Sequence, residues 1–368
     1  MPLILVSVSA GLFGLVGAGI LARALGPWLW RGRLPGAPPV REFVALIPAH
    51  QEERNLPATL HSLRAAAARA GVAVRVVVGA DACTDGTEAA ARKGGAEIVK
   101  VAFRNKWKTL LALAGQSGGG WVALVDSGAL WPESLLEDLT PIFAAPGTLA
   151  VAPAYFPHRA SRVEKLLWRT EASWKAFENA SGGPVSVHGA TVFYRADVFR
   201  AALELLARHA RETWLNDDVA LPFAARLAFP GGAVRYWCPE ETERRVSDAG
   251  LHEGTPQVGR RRRMVAGNLQ WAISLLPGAF VASPAAALVA LRRFLRIFWA
   301  YWVALLVFGV CEAIAPGRGI AAAVAVLLGG TLAVVALGGL SVAGAALTSL
   351  LAPLYIPSVW LGRAQRWS

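Results

Sequence analysis

Long hydrophobic runs stand at both ends of the chain, and short apolar stretches separated by polar ones fill its middle. The first run extends from Leu3 to Leu25 and contains Arg23 as its only charged residue. About 20 apolar residues cross the hydrocarbon core of a bilayer, so this run predicts a transmembrane helix. No basic region precedes it, and it is longer than the core of a cleaved signal peptide, which favours a retained anchor.

A second group of apolar runs lies near the carboxyl terminus. Residues 297–314 and 320–340 predict two membrane spans, and residues 341–360 predict a third span or a re-entrant segment. Residues 264–280 have the character of a helix that lies at the membrane surface, where Trp271 would face lipid headgroups.

The arginines indicate on which side of the membrane the middle of the chain lies. Arg292, Arg293 and Arg296 precede the first of these spans, whereas the loop after it carries only Arg318. Positively charged residues next to spans stay on the cytosolic side. We therefore expect an integral protein of a bacterial inner (plasma) membrane whose central domain is cytosolic.

The composition agrees with a protein that is partly embedded in lipid. Of the 368 residues, 55% are hydrophobic and 17% are charged, and this is too apolar for a soluble domain of that size. The net charge of +12 suits contact with lipid headgroups. We expect no nucleic-acid partner, because the sequence has no helix-turn-helix, zinc-finger or RNA-binding aromatic signature.

The central part of the chain alternates between β-rich runs and alanine-rich helical stretches. The runs at 43–47, 74–78 and 121–125 are short and apolar, as buried strands are. Alternation of this kind predicts an α/β domain with a mostly parallel sheet and helices on both faces. Ligands of such sheets bind at the carboxyl ends of the strands, which is where the polar residues of this chain cluster.

Two aspartates follow strands of the predicted sheet. Asp81 comes after the second strand, where a carboxylate can accept hydrogen bonds from a base or a ribose. Asp126 comes after the third, where it can hold Mg²⁺ or Mn²⁺ against the oxygens of a diphosphate. The alternative for both is a purely structural role in a turn or a helix cap.

A third group of candidates lies downstream. Asp217 and Asp218 open a predicted helix, where two carboxylates are stabilised by the helix dipole. The functional interpretation is that Asp218 removes a proton from an acceptor hydroxyl as a general base. Asp217, His188 and Gly189 would then lie on the acceptor side, although a single histidine is as often structural.

Four consecutive arginines, residues 260–263, join the central domain to the predicted surface helix. Guanidinium groups bind diphosphates in a bidentate manner and also contact anionic headgroups. Either role, or both, is compatible with this position.

Taken in order, residues 44–270 resemble glycosyltransferase family 2, whose members are inverting, often membrane-attached enzymes with a GT-A fold. The resemblance implies that Asp81 contacts uracil, that Lys106 sits near the donor, and that Asp126 is the first acid of the DxD metal motif. It also implies that Asp218 is the catalytic base. Gln257 and Arg260 match the QxxRW box that covers the donor diphosphate.

Two departures from the family pattern bear on substrate and cofactor. The DxD motif reads Asp126-Ser127-Gly128, so the second carboxylate is missing, and this is similar to the ceramide glucosyltransferase branch. A divalent cation is still expected as cofactor. In the QxxRW box Arg261 replaces the tryptophan, which favours a single-transfer enzyme while keeping Arg261 among the donor-binding candidates.

We therefore expect an inverting hexosyltransferase that moves a sugar from a UDP-sugar to a membrane-presented lipid. One alternative is a synthase of a cell-surface exopolysaccharide, which residues 263–270 resemble. Another is a catalytically inactive scaffold with the same fold. The expected domains are an anchor (1–26), a cytosolic GT-A domain (40–263), an interfacial segment (264–292) and a transmembrane region of two or three spans (293–361).

Overall fold

The structure, a computed structural model, describes residues 2–30, 32, 34, 40–118, 120–157, 162–209, 212–248, 257–336 and 340–360. It begins with the helices α1 (Pro2–Leu12) and α2 (Ala18–Leu29), which a π-helical turn at Phe13–Gly17 joins into one continuous helix. This combined helix is long and apolar enough to cross a membrane, as the sequence predicted.

The central domain is built on a sheet of seven strands. They are β1 (Glu42–Ala49), β2 (Ala73–Asp81), β3 (Glu97–Val101), β4 (Trp121–Val125), β6 (Thr148–Pro153), β7 (Thr191–Arg195) and β8 (Ala233–Trp237). Their order is β3-β2-β1-β4-β7-β6-β8, and only β7 runs antiparallel to its neighbours. Two short strands, β5 (Ala129–Leu130) and β9 (Ser247–Asp248), pair separately. The three strands predicted from the sequence and the mostly parallel sheet are confirmed.

Helices cover both faces of the sheet. They are α3 (Leu56–Arg69), α4 (Thr87–Lys93), α5 (Lys106–Ala114), α6 (Leu135–Phe143), α7 (Arg162–Glu178), α8 (Ala196–Ala207) and α9 (Asp217–Ala228). Strand residues alternate between the faces, so Phe43 and Ile47 pack in the core beneath α3 and α6. Val44 and Leu46 pack in the opposite core, which includes residues of α5, α8 and α9.

Apolar helices complete the chain. They are α10 (Gln257–Ala282), α11 (Pro284–Leu295), α12 (Trp299–Ile314), α13 (Gly319–Ala336), α14 (Leu340–Leu350) and α15 (Ala352–Trp360). Two segments, Arg262–Ala282 and Pro284–Ile314, are long and apolar enough to cross a membrane, and a shorter apolar helix spans Gly319–Ala333.

The helices α10 and α11 share the core of the central domain. Leu275, Ala279 and Val289 belong to the same buried cluster as β1 and α9. Trp271 is fully buried, and its ring packs edge-on against Phe223 of α9 at 5.8 Å. The expectation that Trp271 faces lipid headgroups was therefore wrong, because this side of α10 packs on protein.

A tight loop between α7 and β7 leads into the predicted acceptor side. Gly182 and Gly183 have φ values of +83° and +91°, which favour glycine. The buried guanidinium of Arg226 donates to the carbonyls of Ser181 and Gly183. Burial lowers the pKa of Arg226 to about 10, so it remains charged at neutral pH. Arg226 thus fixes the start of the segment that carries His188 and Gly189.

Replacing Gly183 with alanine should destabilise the protein. An added Cβ would lie 1.6 Å from the carbonyl oxygen of Val234, and the residue would keep an unfavourable positive φ. We expect Gly183→Ala to lower the free energy of unfolding by about 2 kcal/mol or more. Gly115→Ala is the matched control, because nothing lies within 4 Å of its added Cβ. Equal melting temperatures for the two variants would contradict this account.

Candidate functional site

The carboxyl ends of the first three strands carry unusual backbone geometry. Gln51, Ala82 and Arg104 follow β1, β2 and β3, and their φ values are +58°, +50° and +47°. Residues other than glycine rarely adopt this left-handed conformation, and such strained positions cluster at functional sites. The strain therefore marks the edge of the sheet where the sequence placed its candidates.

The loops after β1 and β2 are tied together by hydrogen bonds. The side-chain oxygen of Gln51 accepts from the backbone N–H groups of Thr84 and Asp85, at 2.9 and 3.3 Å. The carboxylate of Glu53 accepts from the N–H of Gly86 at 2.8 Å. These hydrogen bonds hold the two loops together at the carboxyl edge of the sheet.

The buried side chain of Asp81 fixes the turn between β3 and α5. This side chain is 0% exposed, and its carboxylate accepts from the backbone N–H groups of Arg104 and Asn105 at 2.7 and 2.8 Å. The hydroxyl of Thr109 donates to the same carboxylate at 2.8 Å. These bonds fix the start of α5, where Lys106 is the first residue. The expected contact between Asp81 and a base stays a prediction.

Lys106 joins two of the predicted site residues. Its Nζ lies 2.7 Å from Oδ1 of Asp126, after β4, and 3.0 Å from Oδ2 of Asp217, at the start of α9. The side chains are 27%, 42% and 20% exposed, so the cluster is accessible from solvent. Burial alone would lower the pKa of Lys106, but the two carboxylates outweigh it and raise that pKa above its ordinary value.

The geometry of the turn after Asp126 explains why residue 128, the position of the second acid in the DxD motif, is a glycine. Gly128 has a φ of +94°, and its N–H donates to the hydroxyl of Thr59 at 2.7 Å. The hydroxyl of Ser127 is buried and donates to the carbonyl of Pro48. Within the part of the chain that the structure describes, no group of three or more His, Cys, Asp or Glu side chains is placed to hold a metal ion.

Asp218 lies beside this cluster, and Gly189 leaves the space between them open. A Cβ added to Gly189 would lie 3.2 Å from Cβ of Asp218 and 3.9 Å from Oδ2 of Asp126. Burial and the neighbouring charge of Asp217 raise the pKa of Asp218, while nearby cations oppose that shift. A carboxylate with a raised pKa is a better proton acceptor at neutral pH.

His188 is held in a buried aromatic pocket formed by Tyr155, Trp168 and Tyr236. It is 6% exposed, and its Nδ1 accepts from the backbone N–H of Tyr155 at 3.1 Å. Burial lowers the pKa of His188 well below its usual value, so the ring is neutral. With Nδ1 accepting, the proton resides on Nε2, which has no hydrogen-bond partner among the described residues.

Side chains of the apolar helix α10 form hydrogen bonds with the segment that precedes Asp217 and Asp218, the acid pair. The side chain of Gln270 accepts from the N–H of Leu215 at 3.0 Å and donates to the carbonyl of Thr213 at 2.6 Å. Asn216, the cap of α9, donates to Asn268 and to the carbonyl of Met264. The position of Asp217 and Asp218 therefore depends directly on α10.

A charged cluster between α7 and α11 was not predicted from the sequence. Glu171 lies 3.8 Å from Lys175 and 3.2 Å from Arg293, and Glu178 lies 2.6 Å from Arg292. Burial, and next the charge of Arg293, lower the pKa of Lys175 to about 7. The signal in the sequence was the spacing of residues 171, 175 and 178, which places three charges on one helix face.

The remaining donor-binding candidates are Gln257, Arg260 and Arg261. They belong to the first turns of α10, but their side chains lie outside the described residues. Their assignment therefore stays a prediction. Of the other candidates, the structure brings together Lys106, Asp126, Gly189, Asp217 and Asp218, and it places Asp81 and His188 in buried positions behind them.

Comparisons with known proteins agree with this arrangement. A family model described as "Glycosyltransferase like family 2" matches residues 38–255. A solved structure of the mannosyltransferase PcManGT from Pyrobaculum calidifontis, in complex with GDP-Man and Mn²⁺, is 17% identical to this chain. It matches 96% of this chain and 99% of its own with a TM-score of 0.65. The likeness shows that the central domain has the GT-A fold expected from the sequence.

Glucosyl-3-phosphoglycerate synthase from Mycobacterium tuberculosis, in complex with Mn²⁺, UDP and glucosyl-3-phosphoglycerate, is a more distant structural match. It is 18% identical, and the match covers 64% of this chain and 80% of that chain with a TM-score of 0.43. A comparison of the sequence with curated proteins finds no match.

The lowered pKa of Lys175 should make stability depend on pH. Between the folded value of about 7 and the ordinary value near 10.4 the unfolded chain binds the proton and the folded protein does not, so stability rises with pH. We expect the melting temperature of Lys175→Met to rise less than that of the wild type between pH 7 and pH 10. Lys108→Met, on α5 and outside this charged cluster, serves as the control. Parallel curves for wild type and Lys175→Met would remove this assignment.

Proposed function

Because this chain belongs to glycosyltransferase family 2 and transfers a sugar from a nucleotide-sugar donor, we propose that the donor is a UDP-sugar and the acceptor a lipid presented by the membrane. The observation that carries the proposal is the cluster of Lys106, Asp126, Asp217 and Asp218. This cluster lies at the carboxyl edge of the sheet. The apolar helix α10 holds the loop that leads into Asp217 and Asp218. The choice of UDP rests on the resemblance of Asp81 to the family's uracil-binding aspartate.

We assign donor binding to the strand ends. Lys106 supplies a cation that can move from its carboxylates to the diphosphate and stabilise the charge of the leaving group. Asp81 supports this role by fixing the turn from which Lys106 projects. Gln257, Arg260 and Arg261 are proposed to cover the diphosphate from the first turns of α10.

The residues present fit one divalent cation. Mg²⁺ is commonly bound through one or two carboxylates together with substrate phosphates and water. Asp126 offers such a carboxylate, since its side chain is 42% exposed. A bound Mg²⁺ or Mn²⁺ would supply further charge compensation at the diphosphate.

Asp218 is proposed as the general base. Its carboxylate removes the proton from an acceptor hydroxyl, and the hydroxyl oxygen bonds to the anomeric carbon as the bond from that carbon to the nucleoside diphosphate breaks. Attack from the face opposite the leaving group inverts the anomeric centre. Gly189 leaves room for the acceptor oxygen beside Asp218, and the neutral ring of His188 lies behind this acceptor side.

The lipid acceptor is supported by how closely the apolar helices approach the acid pair. Gln270 and Asn268 of α10 hold the residues just before Asp217. An acceptor that reaches Asp218 therefore passes along helices that are apolar enough to lie in a bilayer. Synthesis of an exopolysaccharide remains the second candidate, whereas a complete set of site residues argues against an inactive scaffold.

We propose the following organisation in the bacterial plasma membrane. Residues 1–26 anchor the chain, residues 40–263 form the cytosolic GT-A domain, residues 264–292 lie at the interface, and residues 293–361 span the membrane. Burial of one side of α10 on the domain supports the interfacial assignment, because only the other side of the helix is left for contact with lipid.

A transfer assay in membrane vesicles tests donor, acceptor and orientation together. Nucleotide sugars do not cross bilayers, so radiolabelled UDP-sugars added to inside-out vesicles that contain the protein should label a lipid extractable into organic solvent. Right-side-out vesicles should give no label, and chelation of divalent cations should lower the rate. Label that appears only in a large, water-soluble polymer would favour the exopolysaccharide synthase instead.

Replacing the proposed base should abolish transfer. Asp218→Asn keeps the shape of the side chain but removes its ability to accept the proton, and we expect the transfer rate to fall by roughly 10²- to 10⁴-fold. Asp197→Asn is the matched control, because Asp197, in the first turn of α8, forms its ion pair with Arg195 at the end of β7. Both variants should keep the wild-type melting temperature to within a few degrees. Near-normal transfer by folded Asp218→Asn would show that another group is the base.

A further inference from the structure

A cavity of about 170 Å³ lies where α10, α11, α12 and α14 meet. Val265, Ile297 and Trp299 give it apolar walls, and the guanidinium groups of Arg293 and Arg296 line one side of it. Arg293 lies inside the segment Pro284–Ile314, which is apolar enough to cross a membrane, and its side chain is only 12% exposed. Its charge needs an explanation, because buried charges are costly unless they are paired.

The protein does not pair these cations fully. Glu171 contacts Arg293, Arg296 and Lys175, so that one carboxylate is shared by three cationic side chains. Nε of Arg293 is buried and has no hydrogen-bond partner among the described residues. By contrast, the neighbouring Arg292 has Glu178 as its own partner. The cavity therefore carries an excess of positive charge that an anionic ligand would neutralise.

A hydrogen bond links the lining of the cavity to the residue that precedes Asp217 and Asp218. Asn268 lines it, and the side-chain oxygen of Asn268 accepts from Asn216, the residue that precedes Asp217 and Asp218. Arg293 lies near enough to Asp218 to stabilise its charged form. A ligand whose anionic group sits against Arg293 would therefore lie in a cavity that Asn268 and Asn216 join to the start of α9.

We propose that this cavity binds the phosphate of an anionic membrane lipid, with Arg293 and Arg296 as donors to the phosphate oxygens and the apolar walls against the start of the acyl chain. Guanidinium groups bind phosphate with strong, directional hydrogen bonds. The inference deepens the proposed function and rests on its lipid acceptor, since it names phosphate as the group that recognises and places the lipid beside Asp218.

Binding to the full-length protein in a neutral detergent tests this inference without any sugar transfer. The probes are dioctanoyl phosphatidylglycerol, dioctanoylglycerol with the same tails but no phosphate, and inorganic phosphate. We expect phosphatidylglycerol to bind at least roughly tenfold more tightly than either of the others by titration calorimetry. Equal affinity for dioctanoylglycerol would overturn the role of phosphate, and equal affinity for inorganic phosphate would overturn the role of the lipid.

Variants locate the binding in the cavity. Arg296→Gln removes one cation from a side chain that is 46% exposed, and Ala345→Phe fills the cavity without changing its charge. Each should weaken phosphatidylglycerol binding roughly tenfold. Arg292→Gln, on α11 but outside the cavity, is the matched control and should bind within about twofold of wild type. Unchanged binding by both cavity variants in folded protein would refute the site.

The transfer assay then separates the two sources of a bound lipid. If the sugar is moved to phosphatidylglycerol, the bound lipid is the acceptor. If phosphatidylglycerol binds but remains unmodified, the cavity holds a resident lipid beside the site, and the binding inference stands although this acceptor fails. Absence of any transfer with intact, variant-sensitive binding would count against the proposed function alone.

Discussion

The ammonium group of Lys106, held between Asp126 and Asp217, is the interaction on which the site depends. It joins three segments that are far apart in the sequence, namely the start of α5, the end of β4 and the start of α9. Each segment is fixed by separate bonds: Asp81 holds the turn before Lys106, and the glycine turn at Gly128 sets the direction of Asp126. A partly solvated ion cluster of this kind contributes modestly to stability. Its significance is that the two carboxylates hold the cation at the edge of the sheet before a charged ligand arrives, so that binding needs only a movement of the Lys106 side chain.

The second constraint is that an apolar helix, α10, also anchors the segment that leads into Asp217 and Asp218. Gln270 satisfies the backbone of Thr213 and Leu215, and Gly267 leaves space for Asn216, because an added Cβ would lie 2.5 Å from the Asn216 side chain. Since α10 also buries Trp271 in the core behind the sheet, the helix cannot shift without moving Asp217 and Asp218. The packing of the apolar helix α10 and the geometry of the site are thus directly linked.

The strands and the placement of polar residues at their ends were predictable, because both follow from local runs of apolar residues and from the geometry of parallel sheets. The burial of Asp81 was not predictable, since it depends on a turn 23 residues later in the chain. Trp271 was misassigned because an amphipathic pattern shows which side of a helix is apolar but not whether lipid or protein covers it. Glu171 and Lys175 were missed because charges on a helix usually indicate a solvated face, whereas Glu171 is paired with Arg293 of α11 and both side chains are buried or nearly so.

Carboxylates predominate on one side of the site and cations on the other, and this separation bears on where the donor and the acceptor bind. Carboxylates outnumber the single lysine at the carboxyl edge of the sheet, and this side suits a metal ion with the diphosphate it compensates. On the side of α11, Arg292, Arg293, Arg296 and Lys175 outnumber Glu171 and Glu178, and this side suits an anion. Burial and the charge of Asp217 raise the pKa of Asp218, whereas the charges of Arg293 and Lys175 lower it. Filling the anionic site would weaken the attraction of these cations and raise the proton affinity of Asp218. Binding of the acceptor would therefore make Asp218 a stronger base when the acceptor hydroxyl is in place.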